Sequence, residues 1–260
     1  LRSVLRRGRG VVDRARHLLR WYEPEAKLAA DAQAYWQAPP RGQREAFSHW
    51  RDGFADADTW LALGREHLAL YHAFARSAGF ARPARRIVEW GCGGGANAVH
   101  FAPEAEAFYG IDIAQPTLDE CARQMTLAGL TNFHPILVDA THPDAALAAV
   151  PAGCDLFACF YVFELFPTPE YGLRILELAR KMLRPGGMAM VQIKYETGPA
   201  TRSRRWGYRH GLANMTSYRL DDFWQAAEAR GFTPHALSLK PTQPLVRDSR
   251  YAYFVLLANT

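Results

Sequence analysis

The chain reads Arg86-Ile87-Val88-Glu89-Trp90-Gly91-Cys92-Gly93-Gly94-Gly95-Ala96 at the point that decides its fold. The first five of these residues are largely apolar, which predicts a short β-strand, and the glycines after them predict a loop. Glycine lets backbone amides approach a ligand closely. A glycine loop between a strand end and a helix start is where an open parallel sheet binds a nucleotide-like group. The stretch therefore predicts an α/β fold with a ligand site beside its first strand.

Strands and helices alternate on the C-terminal side of this loop. Residues 183–187, which read Leu-Arg-Pro-Gly-Gly, are expected to form the turn before the fifth strand. Alternation at this spacing indicates a mostly parallel sheet with helices on both faces. We expect this domain to occupy residues 82–260. After the first strand, the predicted strands are 107–113, 133–138, 155–160, 188–195 and a terminal hairpin of 233–239 with 251–257, and the predicted helices are 116–128, 169–182 and 221–230.

The N-terminal part of the chain has a different pattern. Residues 1–81 show helical patterning and no convincing strand. A broad apolar stripe ends before Gly79, which predicts that a helix stops there. We therefore expect a helical N-terminal extension, or lid, over residues 1–81.

The net charge of +5 is concentrated at the start of the chain. Residues 1–20 hold seven arginines against Asp13, a balance of +6 that leaves the rest of the chain at −1. The near-neutral body therefore gives no indication of a nucleic-acid partner. For the basic end, a solvated helix is favoured over docking on an anionic membrane or a partner domain. An arginine-rich start also resembles a transit peptide, and a beginning at Leu1 leaves room for a longer chain.

The cysteines and the hydropathy suggest where the protein resides. Four cysteines lack the spacing of a metal site and are predicted to be reduced thiols, so we expect a cytoplasmic protein without a bound metal. No apolar run approaches the roughly 20 residues that are needed to span a bilayer. The cysteines are Cys92, Cys121, Cys154 and Cys159.

Two ligand classes compete for the glycine loop. Residues 91–96 fit the dinucleotide pattern G-x-G-x-x-G/A, and Asp112 lies about 20 residues further on, as that pattern requires. An NAD-dependent oxidoreductase is therefore an open alternative. Glu89, however, places a charge at the strand end, where a cationic, amine-bearing ligand would be favoured over a pyrophosphate. Asp139 ends the third strand, where its carboxylate or the neighbouring amides could hold an adenine amino group.

These motifs, in this order, resemble those of the class I S-adenosylmethionine-dependent methyltransferases. The resemblance covers roughly residues 85–260, and it implies a Rossmann-like, mostly parallel seven-stranded sheet with a C-terminal antiparallel hairpin and S-adenosyl-L-methionine as the cofactor. The matching segments are the first motif at 88–95, the ribose-binding acidic motif at 110–113, the adenine-side motif at 139–140, the fourth-strand motif at 155–167 and the turn at 183–187.

The resemblance also implies which residues contact the cofactor. Glu89 and the glycine backbone would face its methionine part, Asp112 its ribose, and Asp139 its adenine. The residue that ends the fourth strand would border the methyl donor. The expected cofactor contacts are Glu89, Gly91, Gly93, Asp112, Ile113, Asp139, Ala140 and Phe160.

No catalytic base can be carried over from the family. Many members read Glu-His after the fourth strand, where this chain has Glu-Leu at 164–165. The fourth strand ends Cys-Phe-Tyr at 159–161, so the Asp/Asn-Pro-Pro-aromatic motif of enzymes that methylate nucleic-acid amines is absent. That absence argues against methylation of exocyclic base amines, and we do not expect nucleic acid as a partner. The candidate bases are Tyr161, Tyr195 and His210.

Two segments are candidates for binding the acceptor. In the loop 196–216, Arg205 and Arg209 would match a carboxylate or phosphate, although a solvated loop is an equally good interpretation. In the N-terminal extension, His49 is a candidate contact because such extensions often cover the acceptor pocket in this family. The aromatic pairs around it nevertheless favour core packing.

The combined expectation is methyl transfer to a small-molecule or glycan acceptor. We expect O-methylation of a hydroxyl, in one version on an acidic or phosphorylated substrate, and a hydroxyl acceptor needs a base. The second hypothesis is an N-methyltransferase that acts on an amine. A non-catalytic cofactor-binding module of a larger protein is the alternative from a different class.

Overall fold

Seven strands form one sheet in the computed structural model, which describes residues 22–38, 57–80, 83–208, 215–245 and 248–260. Each strand was expected from the sequence, and most boundaries agree to within two residues. The strands are β1 (Arg86–Trp90), β2 (Ala107–Asp112), β3 (Phe133–Leu137), β4 (Cys154–Cys159), β5 (Leu183–Lys194), β6 (Phe232–Gln243) and β7 (Asp248–Ala258).

Helices cover both faces of this sheet, and local sequence explains where several of them begin and end. Thr168 caps its helix by accepting a hydrogen bond from Tyr171 N at 3.1 Å, and Pro169 occupies the first turn. In the described ranges the helices are α1 (Glu25–Gln37), α2 (Ala57–Ser77), α3 (Ala98–Phe101), α4 (Gln115–Leu127), α5 (Ala146–Ala149), α6 (Pro169–Met182) and α7 (Leu220–Glu228), with 3₁₀ turns at Ala102–Glu104, Pro143–Ala145, Phe163–Leu165 and Pro199–Thr201.

The strand order is β3-β2-β1-β4-β5-β7-β6. Only β7 runs antiparallel to its neighbours, because the chain returns from β6 through a hairpin. The other neighbouring pairs are parallel. From β1 the chain moves outward to β2 and β3 and then crosses to β4 on the other side. The order therefore reverses between β1 and β4, which is where open α/β sheets bind ligands.

Side chains on β1 alternate between the two cores of the protein, as the pleat of a strand requires. Val88 and Trp90 belong to the core beneath α6 and α7, and Ile87 belongs to the core beneath α2 and α4. Glu89 has the same parity as Ile87, so its carboxyl is directed to the α2 side of the sheet. Glu89, which is the one charged residue of β1 besides Arg86, therefore lies on the side of the sheet that α2 covers.

Two expectations about the C-terminal half need correction. Residues 183–187 are not a separate turn, because Leu183 already pairs with Cys154 and starts β5. The irregular Pro-Gly-Gly sequence is absorbed by a register shift between Cys154 and Leu156, with Gly186 at a positive φ of 70°. The terminal hairpin is also longer than predicted, because its pairing continues to Gln243 and Asp248.

Candidate functional site

A cleft lies at the carboxyl ends of β1 and β4. It holds about 940 Å³, counting the part that opens to solvent, which is enough for a ligand of nucleoside size. Its walls come from α1, α2, the glycine loop, the ends of β2 to β4 and the segment after β4. The described lining residues are Ala32, Trp36, Trp60, Leu63, His67, Trp90, Gly91, Cys92, Gly94, Ala96, Asn97, Asp112, Ile113, Ala140, Phe160, Tyr161, Val162, Leu165, Phe166, Pro167, Tyr171 and Tyr208.

The glycine loop forms the floor of the cleft. Gly91 has a positive φ of 74°, and a Cβ there would overlap the Val162 side chain, so no other residue fits without rearrangement. Gly93 N donates to Asp112 Oδ2 at 3.0 Å, which ties the loop to the end of β2. The loop is thereby held open toward the cleft in a fixed conformation.

Glu89 is buried beside this loop, with 1 % of its surface exposed. Its Oε1 accepts a hydrogen bond from Asn97 Nδ2 at 2.5 Å, and its Oε2 has no partner among the described residues. Burial raises the pKa of Glu89 to about 8, with the Asp112 carboxylate adding to the rise against the hydrogen bond from Asn97. A buried carboxyl with an unused oxygen suits a cationic ligand group.

Asp112 is also buried, and its carboxylate organises the chain around it. Besides Gly93 N, it accepts from Ala114 N at 3.0 Å and from the Thr117 hydroxyl at 3.2 Å, both through Oδ1. These bonds join β2 to the first turn of α4. Because each carboxylate oxygen has two lone pairs, Asp112 can still accept from a ligand hydroxyl in the cleft that it lines.

Ile113, which follows β2, and Ala140, which follows β3, both line the cleft. Gln33 of α1 contacts both: its Nε2 donates to Ile113 O at 2.6 Å and its Oε1 accepts from Ala140 N at 2.7 Å. Asp139 is not among the lining residues. Its exposed carboxylate accepts from Thr141 N and the Thr141 hydroxyl, which lower its pKa. Of the two expected adenine contacts, Ala140 therefore lines the cleft, whereas the Asp139 side chain forms a local turn with Thr141.

The segment after β4 contributes two aromatic residues that the sequence had singled out. Phe160 and Tyr161 both line the cleft. Tyr161 adopts a positive φ of 56°, which is rare for a non-glycine residue, and its N donates to Gln192 Oε1 at 2.5 Å. Burial raises the pKa of Tyr161 to about 12, so its hydroxyl stays protonated at neutral pH. Strained backbone of this kind is often found at functional sites.

Sequence reasoning missed His67, which α2 delivers to the cleft. It is 1 % exposed and stacks on Phe160 with ring centroids 4.2 Å apart. Its Nδ1 lies 2.8 Å from Asn97 Oδ1 and its Nε2 3.2 Å from the Tyr253 hydroxyl. The available signal was a histidine on the apolar stripe of a predicted helix.

Of the other two candidate bases, the structure describes only Tyr195. Tyr195 is half-buried, forms an isolated bridge with Tyr218 and does not line the cleft. His210 lies outside the described residues. Of the three, Tyr161 is the one that the structure brings to the site.

Of the three candidate residues for binding the acceptor, the structure describes Arg205. Arg205 makes an ion pair with Glu170 of α6 at 2.6 Å and lies over the ring of Tyr22, away from the cleft lining. Arg209 and His49 lie outside the described residues. Tyr208, from the same loop as Arg205, does line the cleft and donates to Leu165 O at 2.7 Å.

The four cysteines are buried and form no disulfide. No group of three or more histidine, cysteine, aspartate or glutamate side chains that could hold a metal ion occurs in the described ranges. The helices in those same ranges include none long and apolar enough to cross a membrane.

Comparisons with solved structures agree with the fold. One similar structure is magnesium protoporphyrin IX methyltransferase from Synechocystis PCC 6803 with bound SAM: identity is 14 %, the TM-score is 0.59, and the match covers 90 % of this chain and 97 % of the other. Another is the N-methyltransferase NodS from Bradyrhizobium japonicum WM9 with S-adenosyl-L-homocysteine, at 15 % identity and a TM-score of 0.53, covering 75 % and 87 %.

A third similar structure, the [4+2]-cyclase SpnF, has 15 % identity and a TM-score of 0.56 and covers 74 % of this chain and 80 % of its own. Since this neighbour is a cyclase, the fold by itself leaves the reaction open. No curated protein matches the chain. A family model described as a methyltransferase domain matches residues 61–237, which is more than half of the chain. The chain therefore belongs to the methyltransferase-domain family, and it is an S-adenosylmethionine-dependent methyltransferase with a Rossmann-like fold.

Proposed function

We propose that the protein transfers a methyl group to a hydroxyl of a small molecule or glycan. The observation that carries this proposal is Tyr161, which lines the cleft at the end of β4 beside Phe160 and whose hydroxyl is hydrogen-bonded to Tyr253 and Gln243. A hydroxyl acceptor must lose a proton during attack, so it needs a hydrogen-bonding partner at the reacting atom, whereas a neutral amine needs less help.

The residues around the cleft fit the cofactor. Glu89 offers a buried carboxyl with one unused oxygen to an ammonium group, and Asp112 offers a carboxylate to ribose hydroxyls. Ile113 O and Ala140 N are the acceptor and the donor that an adenine edge would use, and in this structure the Gln33 amide occupies both. When bound, S-adenosylmethionine supplies a methyl group that is activated by a positively charged sulfur.

The chain's own contribution is then alignment in a dry cleft. Trp36, Trp60, Phe166 and Tyr171 line it with aromatic surface that excludes water from the reacting atoms. The Tyr161 phenol, which stays protonated at neutral pH, orients the acceptor hydroxyl, and the proton that this hydroxyl loses passes to bulk water at the open side of the cleft.

An uncharged acceptor suits this lining best. The described residues that line the cleft include no lysine or arginine. The expectation of an acidic or phosphorylated acceptor therefore depends on Arg209, which lies outside the described residues, and on release of Arg205 from Glu170.

The proposal is tested by incubating the protein with S-adenosylmethionine and a panel of acceptors while S-adenosylhomocysteine formation is measured. The panel pairs each alcohol, phenol and sugar with its amine, carboxylate and phosphate analogue. Turnover of a hydroxyl compound, with its amine analogue inert, is expected. Methylation of the amines alone would replace O-methylation by N-methylation, and binding of the cofactor without turnover of any member would favour the non-catalytic module.

A further inference from the structure

His67 is held against the glycine loop by the way α2 packs. Gly64, three residues earlier, approaches the loop so closely that a Cβ there would overlap Ala96 O. This contact places His67 over Phe160 and beside Asn97, a buried residue of the loop that lines the cleft. Burial lowers the pKa of His67 to about 4, so the ring is neutral at neutral pH and carries one N–H.

The partners of His67 decide which nitrogen carries that proton. Because Asn97 Nδ2 donates to Glu89, the other end of the amide, Asn97 Oδ1, faces Nδ1 of His67. An amide oxygen can only accept a hydrogen bond. The proton therefore lies on Nδ1, and Nε2 accepts from the Tyr253 hydroxyl. Tyr253 in turn accepts from the Tyr161 hydroxyl at 3.2 Å.

All donors in this chain of hydrogen bonds point the same way. Gln243 Nε2 donates to the Tyr161 hydroxyl at 3.0 Å, and the direction continues through Tyr253 and His67 toward Asn97 and Glu89. Turning the Asn97 amide over would place two acceptors face to face at Glu89 in its ionised form. The N–H of His67 prevents this, because it would lose its acceptor.

We propose that His67 is a positioning residue for cofactor binding, which holds the Asn97 amide so that its N–H faces Glu89 and leaves the second oxygen of Glu89 for the ammonium of the cofactor. The proposal rests on the cofactor site described above. It assigns a binding role to a residue of α2, outside the glycine-loop and acidic motifs.

The test is a double-mutant cycle with S-adenosylhomocysteine as the ligand and calorimetry as the measurement. His67→Phe keeps an aromatic ring over Phe160 and removes both hydrogen bonds, and Asn97→Ala removes the amide. Each is expected to weaken binding by about tenfold, which is the lower end of the effect of losing a hydrogen bond to a charged group. The double variant should be little weaker than either single one, because both disrupt the same contact.

A matched control lies five residues away on the same helix. His72 is partly exposed and pairs with Glu104, so His72→Phe should bind S-adenosylhomocysteine as the wild type does. His67→Asn retains an amide N–H near the position of Nδ1 and should recover part of the affinity that His67→Phe loses. Thermal unfolding of each variant separates loss of fold from loss of binding.

A second measurement needs no variant. Nitrogen chemical shifts of the wild-type histidines should show His67 as the neutral Nδ1–H tautomer at neutral pH. An Nε2–H tautomer or an imidazolium would overturn the proposal, as would additive losses in the cycle or wild-type affinity in His67→Phe. If the wild type itself does not bind S-adenosylhomocysteine, the proposed cofactor site is wrong as well. If the wild type binds and His67→Phe binds equally well, only the proposed role of His67 is wrong.

Discussion

Asn97 Nδ2 donates to Glu89 Oε1 at 2.5 Å, and this is the single partner that the described residues give to a fully buried carboxyl. Asn97 follows the glycine loop, and Glu89 ends β1, so the hydrogen bond spans the loop in which the cofactor is expected to bind. The pairing leaves the second oxygen of the carboxyl without a partner, and a cationic ligand group can bind there. The first prediction concerns that oxygen.

Cofactor binding should release a proton. Burial raises the pKa of Glu89 to about 8, so the empty site is mostly protonated at pH 7. An ammonium group favours the ionised carboxylate, so affinity for S-adenosylhomocysteine should rise up to about tenfold per pH unit below pH 8 and level off above it. Calorimetry in buffers of different ionisation enthalpy measures the number of protons released on binding. Glu89→Gln should abolish this release. Affinity that is flat between pH 6 and 8 would contradict the role of Glu89.

Asp112→Ala should weaken cofactor binding by about 1–3 kcal/mol, the usual range for charge-assisted hydrogen bonds left unmade. The thermal midpoint should fall too, because Gly93 N and Ala114 N lose a buried acceptor. Asp119→Ala is the control, since Asp119 is exposed on α4 and bonds only to Gln115 among the described contacts. Unchanged affinity in a folded Asp112→Ala variant would remove the acidic motif from the site.

Gln33→Ala should strengthen cofactor binding. The Gln33 amide takes the two backbone groups, Ile113 O and Ala140 N, that we expect an adenine edge to use. Removing a competitor worth about 1 kcal/mol should raise affinity about fivefold. Gln37→Ala is the matched control one turn further along α1, because Gln37 is exposed and its contact to Ile113 O is 3.4 Å long. Weaker binding in Gln33→Ala would instead make Gln33 part of the cofactor site.

Asp248→Ala should cost about 3–5 kcal/mol in the free energy of unfolding, because it removes the carboxylate that pairs with the buried Lys194 ammonium. Lys194 is 1 % exposed and meets both oxygens of Asp248, at 2.6 and 2.8 Å. Denaturant titration measures the loss. Asp221→Ala, which breaks an exposed pair with Arg219, should leave the free energy of unfolding nearly unchanged. Equal small losses in the two variants would mean that Lys194 finds another partner or water.

Features that depend on neighbouring residues could be predicted from the sequence. Thr168 and Pro169 start α6 where the sequence placed them, because a cap and a first-turn proline act within four residues. Arg86–Trp90 forms β1 as predicted, and Ile113, Ala140 and Phe160 line the cleft because each follows a strand that ends at the same edge of the sheet. Repetition of strand, turn and helix was therefore sufficient for the fold class.

The sequence by itself determined the fold class, the methyltransferase resemblance and the position of the glycine loop, because these depend on patterns within short windows of the chain. Only the tertiary structure decided that His67 lines the cleft, that Gln33 contacts the backbone of Ile113 and Ala140, and that Arg205 pairs with Glu170. His67 meets Tyr253 across 186 positions, and Gln33 meets Ala140 across 107. Contacts over such separations arise from the packing of whole helices on the sheet, and no local pattern in the sequence specifies them.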